Sequence, residues 1–114
     1  MNELPASGPA LAGIVAALMA DIESTVGPGH DALVAGHAQH QAQFTRELES
    51  YRQRVVEEVQ QEIHDCFIDT AWPACPRHPN HPLWLHGEYW CCEQDGAIVC
   101  KLGELSSLPG NGAR

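Results

Sequence analysis

Residues 73–82 constrain the fold more than any other stretch. Pro73, Pro76, Pro79 and Pro82 recur there at every third position, with Cys75, His78 and His81 between them. Proline lacks the N–H that a helix interior or a central strand needs, and its ring fixes φ. This run therefore has to be an irregular loop, and it divides the chain. Before it, apolar residues recur at helical spacing. After it, short apolar runs alternate with glycine turns. Helices followed by a small sheet, an α+β fold, is the arrangement that fits.

Residues 1–8 read as a loose start broken by Pro5 and Gly8. Ser7 or Gly8 can cap a first helix, with Pro9 near its first position. Leu11, Ile14, Val15, Leu18, Met19, Ile22 and Val26 then form one apolar stripe, and Gly27-Pro28-Gly29 ends it. A second helix is expected from Asp31, which can cap it, to about Phe67. At 1.5 Å per residue it would run on the order of 55 Å. Its inward positions keep an eleven-residue spacing: Leu33, Phe44, Val55 and Cys66, flanked by His37, Leu48 and Val59 and by His40, Tyr51 and Glu62. That spacing predicts a nearly straight helix. Residues 1–70 thus read as a helical hairpin with a long second helix. Its stretch over 48–63 outruns the first helix and still carries Leu48, Tyr51, Val55, Val59 and Ile63. The stripe is expected to meet the C-terminal module or a second copy of the chain; the alternative is a kink that folds the helix back on itself. On the outer face, Arg54 and Glu58 form an i,i+4 pair of the kind that adds only tenths of a kcal/mol.

Past the proline run, His86-Gly87 and Asp95-Gly96 mark tight turns. They predict strands near 83–85, 88–92 and 97–102, a three-stranded antiparallel meander within a module over 71–105. Residues 106–114 read as a disordered tail. Cys75-x-x-His78 has the spacing of a zinc knuckle, in which a two-residue turn aims both side chains at one ion. A zinc ribbon brings its other ligands from a second hairpin, and here that hairpin offers the adjacent pair Cys91 and Cys92. They point to opposite faces of a strand, so one ligates and the other packs. His81 or His86 supplies the fourth ligand. Cys75, His78, His81 and Cys92 together make a tetrahedral site for Zn²⁺. A module of about 45 residues is too small to hold itself by apolar burial, which favours such a staple. Trp72, Trp84 and Trp90 are expected to pack around the loop, Cys66 and Cys100 to be small buried residues, His64 to be structural, and His37-x-x-His40 to be polar helix surface.

Trp72-Pro73-Ala74-Cys75-Pro76-Arg77-His78-Pro79-Asn80-His81-Pro82-Leu83, then Trp90-Cys91-Cys92, then Leu102-Gly103-Glu104-Leu105, resembles a pattern in small uncharacterised proteins of actinobacteria and their phages. The resemblance covers about a third of the chain. It implies a zinc-ribbon-like site, favours Cys92 over Cys91 as ligand, and implies no activity. Glu93 stands where the pattern has proline.

The net charge is −9 with histidine neutral. Residues 30–70 hold eight acids against three arginines, so the excess lies on the helices. This argues against nucleic acid and against an anionic membrane surface as partners, since both are met by clustered Lys and Arg. Leu11 to Ala20 is too short an apolar run to span a bilayer, and only Glu3 is charged before it, unlike a secretory signal. With an odd five cysteines, the expectation is a reduced, cytoplasmic protein rather than a disulfide framework. The functional expectation is a structural-zinc protein that binds other proteins and itself, as a homodimer, through the 48–63 stripe or a Trp-rich face. The alternative is a zinc-dependent hydrolase in which three protein ligands leave a water position open and Glu88, of His86-Gly87-Glu88, is the general base. Four protein ligands would exclude it.

Overall fold

The computed structural model describes residues 8–66, 72–78 and 80–108. The expected loose start, up to residue 7, and the tail from residue 109 lie outside them. The chain forms three helices, α1 (Gly8–Thr25), α2 (Asp31–Ala42) and α3 (Leu48–Cys66). Three strands follow, β1 (Leu83–His86), β2 (Tyr89–Cys92) and β3 (Ile98–Lys101), and then a 3₁₀ turn over Leu105–Ser107. The architecture is α+β.

Helix α1 buries Ile14, Leu18 and Ile22 along its stripe, with Leu11, Val15, Met19 and Val26 at the margin. It closes where the N–H groups of Val26 and Gly27 both reach the Ile22 carbonyl, at 2.6 and 3.1 Å. Gly27 there has φ of +126°, a conformation that costs glycine little.

The long second helix is corrected to two helices, with a turn at 43–47. Phe44 and Thr45 donate to the Gln41 carbonyl at 3.0 and 2.9 Å, and the Thr45 hydroxyl donates to Gln41 Oε1 at 2.9 Å. Energetics explain the break. A straight helix would leave Tyr51, Val55, Val56, Val59 and Ile63 in water, whereas folding back buries all five. Burial of each such side chain contributes about 1.5–3 kcal/mol, while a lost helical hydrogen bond costs about 1 kcal/mol. Polar contacts set the register. His37 of α2 donates from Nδ1 to Glu58 Oε1 at 3.0 Å and faces Glu62 Oε1 with Nε2 at 2.6 Å. Gln41 donates to Glu58 Oε2 at 2.6 Å, so Glu58 serves α2 rather than Arg54. The eleven-residue track fails on α2, which buries Val34, Ala38 and Gln41 instead, and Phe44 is 68% exposed. The 48–63 stripe is covered by the chain's own α1, α2 and β1.

The sheet has the order β1-β2-β3, antiparallel throughout. The strands fall within a residue or two of the predicted bounds, and the turns carry Gly87 and Gly96 at positive φ. Leu83, Leu85, Trp90 and Cys92 face the helices. Trp84, Tyr89 and Ile98 are on the exposed side.

One core joins helices and sheet, and side chains tie them. Gln60 of α3 donates to the carbonyls of Trp72 and Leu83, at 3.2 and 2.9 Å. Arg52 donates to the Gly87 carbonyl at 2.9 Å, and the Trp72 indole donates to Thr25 Oγ1 at 2.9 Å. The central tie is Asp21, fully buried on α1. Its Oδ2 accepts from Trp90 Nε1 at 2.9 Å and from Gly103 N at 2.7 Å, and its Oδ1 from Leu105 N at 2.9 Å. The 3₁₀ turn packs on α1, so the tail expected from residue 106 is ordered at its start, through Leu108.

Candidate metal centre

The proline run folds as a hairpin-like loop. Cys75 N donates to the His81 carbonyl at 3.0 Å, His78 N to the Cys75 carbonyl at 3.2 Å, and Leu83 N to the Pro73 carbonyl at 2.7 Å. The turn brings His78 back over Cys75, and the Leu83–Cys92 pairing of β1 with β2 brings Cys92 to the same end of the sheet. The ligand atoms of Cys75, His78 and Cys92 all lie within 4.8 Å of one another. His78 Nδ1 stands 3.3 Å from Cys92 Sγ and 3.7 Å from Cys75 Sγ. A tetrahedral ion with the usual bonds to sulfur and nitrogen sets that separation at about 3.6 Å. Both thiols are buried and the imidazole is half-buried. This cluster could hold a metal ion.

Cys92 opens a second tight turn. Burial pushes its thiol above the ordinary value, while the backbone N–H groups of Asp95 and Gln94, directed at the sulfur, pull it down. The Asp95 carboxylate lies beside the same thiol. It accepts from Ala97 N at 3.0 Å and pairs with Arg77 at 3.1 Å; the Ala97 N–H foremost, with Cys92 and Arg77, holds it below the usual range. Sequence reasoning missed Asp95, although Cys92-x-x-Asp95 repeats the spacing of Cys75-x-x-His78.

His81 is left just outside the cluster. Its ring centroid is 6.4 Å from that of His78, whereas two imidazoles on one tetrahedral ion would stand about 5 Å apart. Its Nδ1 donates to Glu93 Oε2 at 2.8 Å, and Gln94 Nε2 lies 3.2 Å from each ring nitrogen. Glu93 Oε1 in turn accepts from Trp84 Nε1 at 2.8 Å. The His81 and Trp84 donors hold the Glu93 carboxyl below its ordinary range.

The remaining candidates are elsewhere. Cys91 faces the outer side of β2, its thiol 3.7 Å from the Tyr89 carbonyl. His86 and Glu88 sit at the opposite end of the β1–β2 hairpin, about 10 Å along the strands, where Glu88 pairs with Lys101 at 3.6 Å. Glu88 is therefore no general base for this cluster. Trp72 and Trp90 pack edge to face at 6.0 Å, but Trp84 is 59% exposed. Cys66 and His64, expected to be structural, are exposed. Cys100 is half-buried, and burial, with Asp21 and Glu104 nearby, pushes its thiol up to about 11. All five cysteines are free.

No family model, curated protein or solved structure matches the chain. No described helix is long and apolar enough to cross a membrane.

Proposed function

We propose that the chain is a small structural-zinc protein that works by binding another protein, with a Zn²⁺ held by Cys75, His78 and Cys92 and completed by His81. The observation that carries this reading is the pair of sulfur-to-nitrogen separations, 3.3 and 3.7 Å, which bracket a tetrahedral edge. The donor set fits the ion: two thiols that bind as thiolates and imidazoles that bind neutral, so that one Zn²⁺ balances the charge. His81 has to move to join, since its ring stands 6.4 Å from that of His78 against about 5 Å for two imidazoles on one tetrahedral ion. When bound, the ion supplies cross-linking between the proline loop and the end of β2. The surface left for a protein partner, a second copy included, is the outer face of the sheet. There Trp84 pairs with Cys91 and Cys91 with Ile98, a row across three strands, and Ile98 is 65% exposed.

Elemental analysis of tag-free protein, prepared under reducing, chelator-free conditions, tests the site. The expected result is near one zinc per chain, lost in Cys75→Ser and Cys92→Ser, reduced in His81→Ala and kept in His86→Ala. No metal in any preparation would remove the reading. Light scattering on the same samples reads self-association, and Ile98→Asp is expected to return any dimer to the monomeric mass.

A further inference from the structure

Glu93 contributes nothing to the three-atom cluster, yet both of its carboxylate oxygens are engaged. One accepts from His81 Nδ1 and the other from Trp84 Nε1, each at 2.8 Å. We propose that Glu93 is the positioning residue for the fourth metal ligand, holding His81 in the tautomer that offers Nε2 to the ion, with Trp84 as the anchor that keeps the carboxylate in place. This rests on the reading of His81 as a zinc ligand.

The chemistry follows from the imidazole. A neutral ring has one N–H and one lone pair, and the hydrogen bond made by one nitrogen decides which is which. A carboxylate on Nδ1–H fixes the proton there, leaves the lone pair on Nε2, and makes that lone pair more basic, which strengthens a bond to a cation. The Gln94 carboxamide nitrogen lies 3.2 Å from both ring nitrogens, a neutral contact that an ion at Nε2 can displace. The strand register supplies the geometry. Trp84 pairs with Cys91, which places its indole N–H beside the turn that begins at Cys92, and Glu93 follows Cys92 in that turn. His81 reaches the same point from the proline loop.

Zinc affinity by chelator competition, with Co²⁺ absorption as the signature of the ligand set, tests this on the full chain. The variants are Glu93→Ala, Glu93→Gln, His81→Ala and the double variant His81→Ala/Glu93→Ala. Glu93→Ala is expected to weaken binding 10- to 100-fold, the range for a lost outer carboxylate, and Glu93→Gln, which keeps an acceptor oxygen, to recover part of it. Both keep the parent's tetrahedral cobalt bands, and far-UV dichroism confirms folding. In the double variant, removing Glu93 is expected to add nothing to the loss from His81→Ala. If Glu93→Ala binds as tightly as the parent while His81→Ala is weakened, Glu93 has no positioning role. The same follows if Glu93→Ala weakens the His81→Ala protein by as much as it weakens the parent. If His81→Ala binds zinc and absorbs with Co²⁺ as the parent does, His81 is not a ligand; that outcome overturns the fourth-ligand reading itself and Glu93's role with it.

Discussion

Removing the Asp21 carboxylate should loosen the joint between α1 and the sheet. The residue is fully buried and accepts three N–H groups from three separate places, the Trp90 indole and the backbones of Gly103 and Leu105. Burial pushes its carboxyl above the ordinary range, and those three donors pull it back. In Asp21→Ala all three donors lose their acceptor. Each orphaned buried donor costs about 1–3 kcal/mol, a gross loss of about 3–9 kcal/mol. Part of this is recovered, because a buried charge no longer has to be desolvated, a cost of several kcal/mol. The net expectation is a loss of about 3 kcal/mol, large against a domain stability of about 5–15 kcal/mol. Asp21→Asn should cost less. Its amide oxygen can take the place of Oδ2 and keep Trp90 and Gly103, but its NH₂ then faces the Leu105 N–H, donor against donor, for about 1–3 kcal/mol. Urea unfolding of the zinc-loaded protein, followed by tryptophan emission, measures both. A Trp90→Phe cycle should show coupling with Asp21 of about 1 kcal/mol. The reasoning fails if Asp21→Ala lies within about 0.5 kcal/mol of the parent, or if Asn is worse than Ala.

Gly103→Ala should destabilise by about 1–3 kcal/mol, because φ of +97° disfavours a side chain and the new Cβ would lie 2.9 Å from Ala17 Cβ on α1. An unchanged melting temperature would show that the loop and α1 can separate freely. Stability should also fall in alkali. The folded state holds the Cys100 proton up to about 11, against an ordinary value of 9.0, so this stabilisation is complete below pH 9 and is lost as pH rises through 11. Cys100→Ala should flatten that part of the pH–stability curve, and a curve as steep as the parent's would rule out Cys100 as its source.

What was legible in the sequence was what local chemistry dictates. The prolines, the glycine turns and the alternation of Leu83–His86 and Tyr89–Cys92 placed loop and strands within a residue or two, and Cys75-x-x-His78 closed as its spacing required. The same alternation separates Cys92 from Cys91. A fold-back was one of two readings of the long helix, but its place at 43–47 was not legible, because that stretch holds no glycine or proline. It is decided at long range, by the burial of Tyr51, Val55, Val59 and Ile63, with His37 and Gln41 reading out the fold-back through Glu58. Asp21 was hidden for the same reason. Its only local signal is its place at helical spacing with Ile14 and Leu18, and its three donors come from residues 69 to 84 positions later.

The shared core changes what a metal is needed for. A 45-residue module standing alone would need an ion to fold at all. Here Leu83, Leu85, Trp90, Leu102 and Leu105 belong to the same core as Leu18, Tyr51 and Val55, and Asp21, Gln60 and Arg52 hold the sheet from the helical side. Apolar burial and these ties support the sheet without an ion. The proline loop has less to rest on: its helix- and strand-breaking residues leave it a few backbone hydrogen bonds and the buried Trp72 and Cys75. On the proposed reading, an ion on Cys75, His78, Cys92 and His81 acts locally, fixing that loop against the end of β2. Through His81 and Glu93 its order reaches Trp84, the largest apolar side chain on the outer face. On the proposed reading the fold does not depend on zinc, but the shape of the binding surface does.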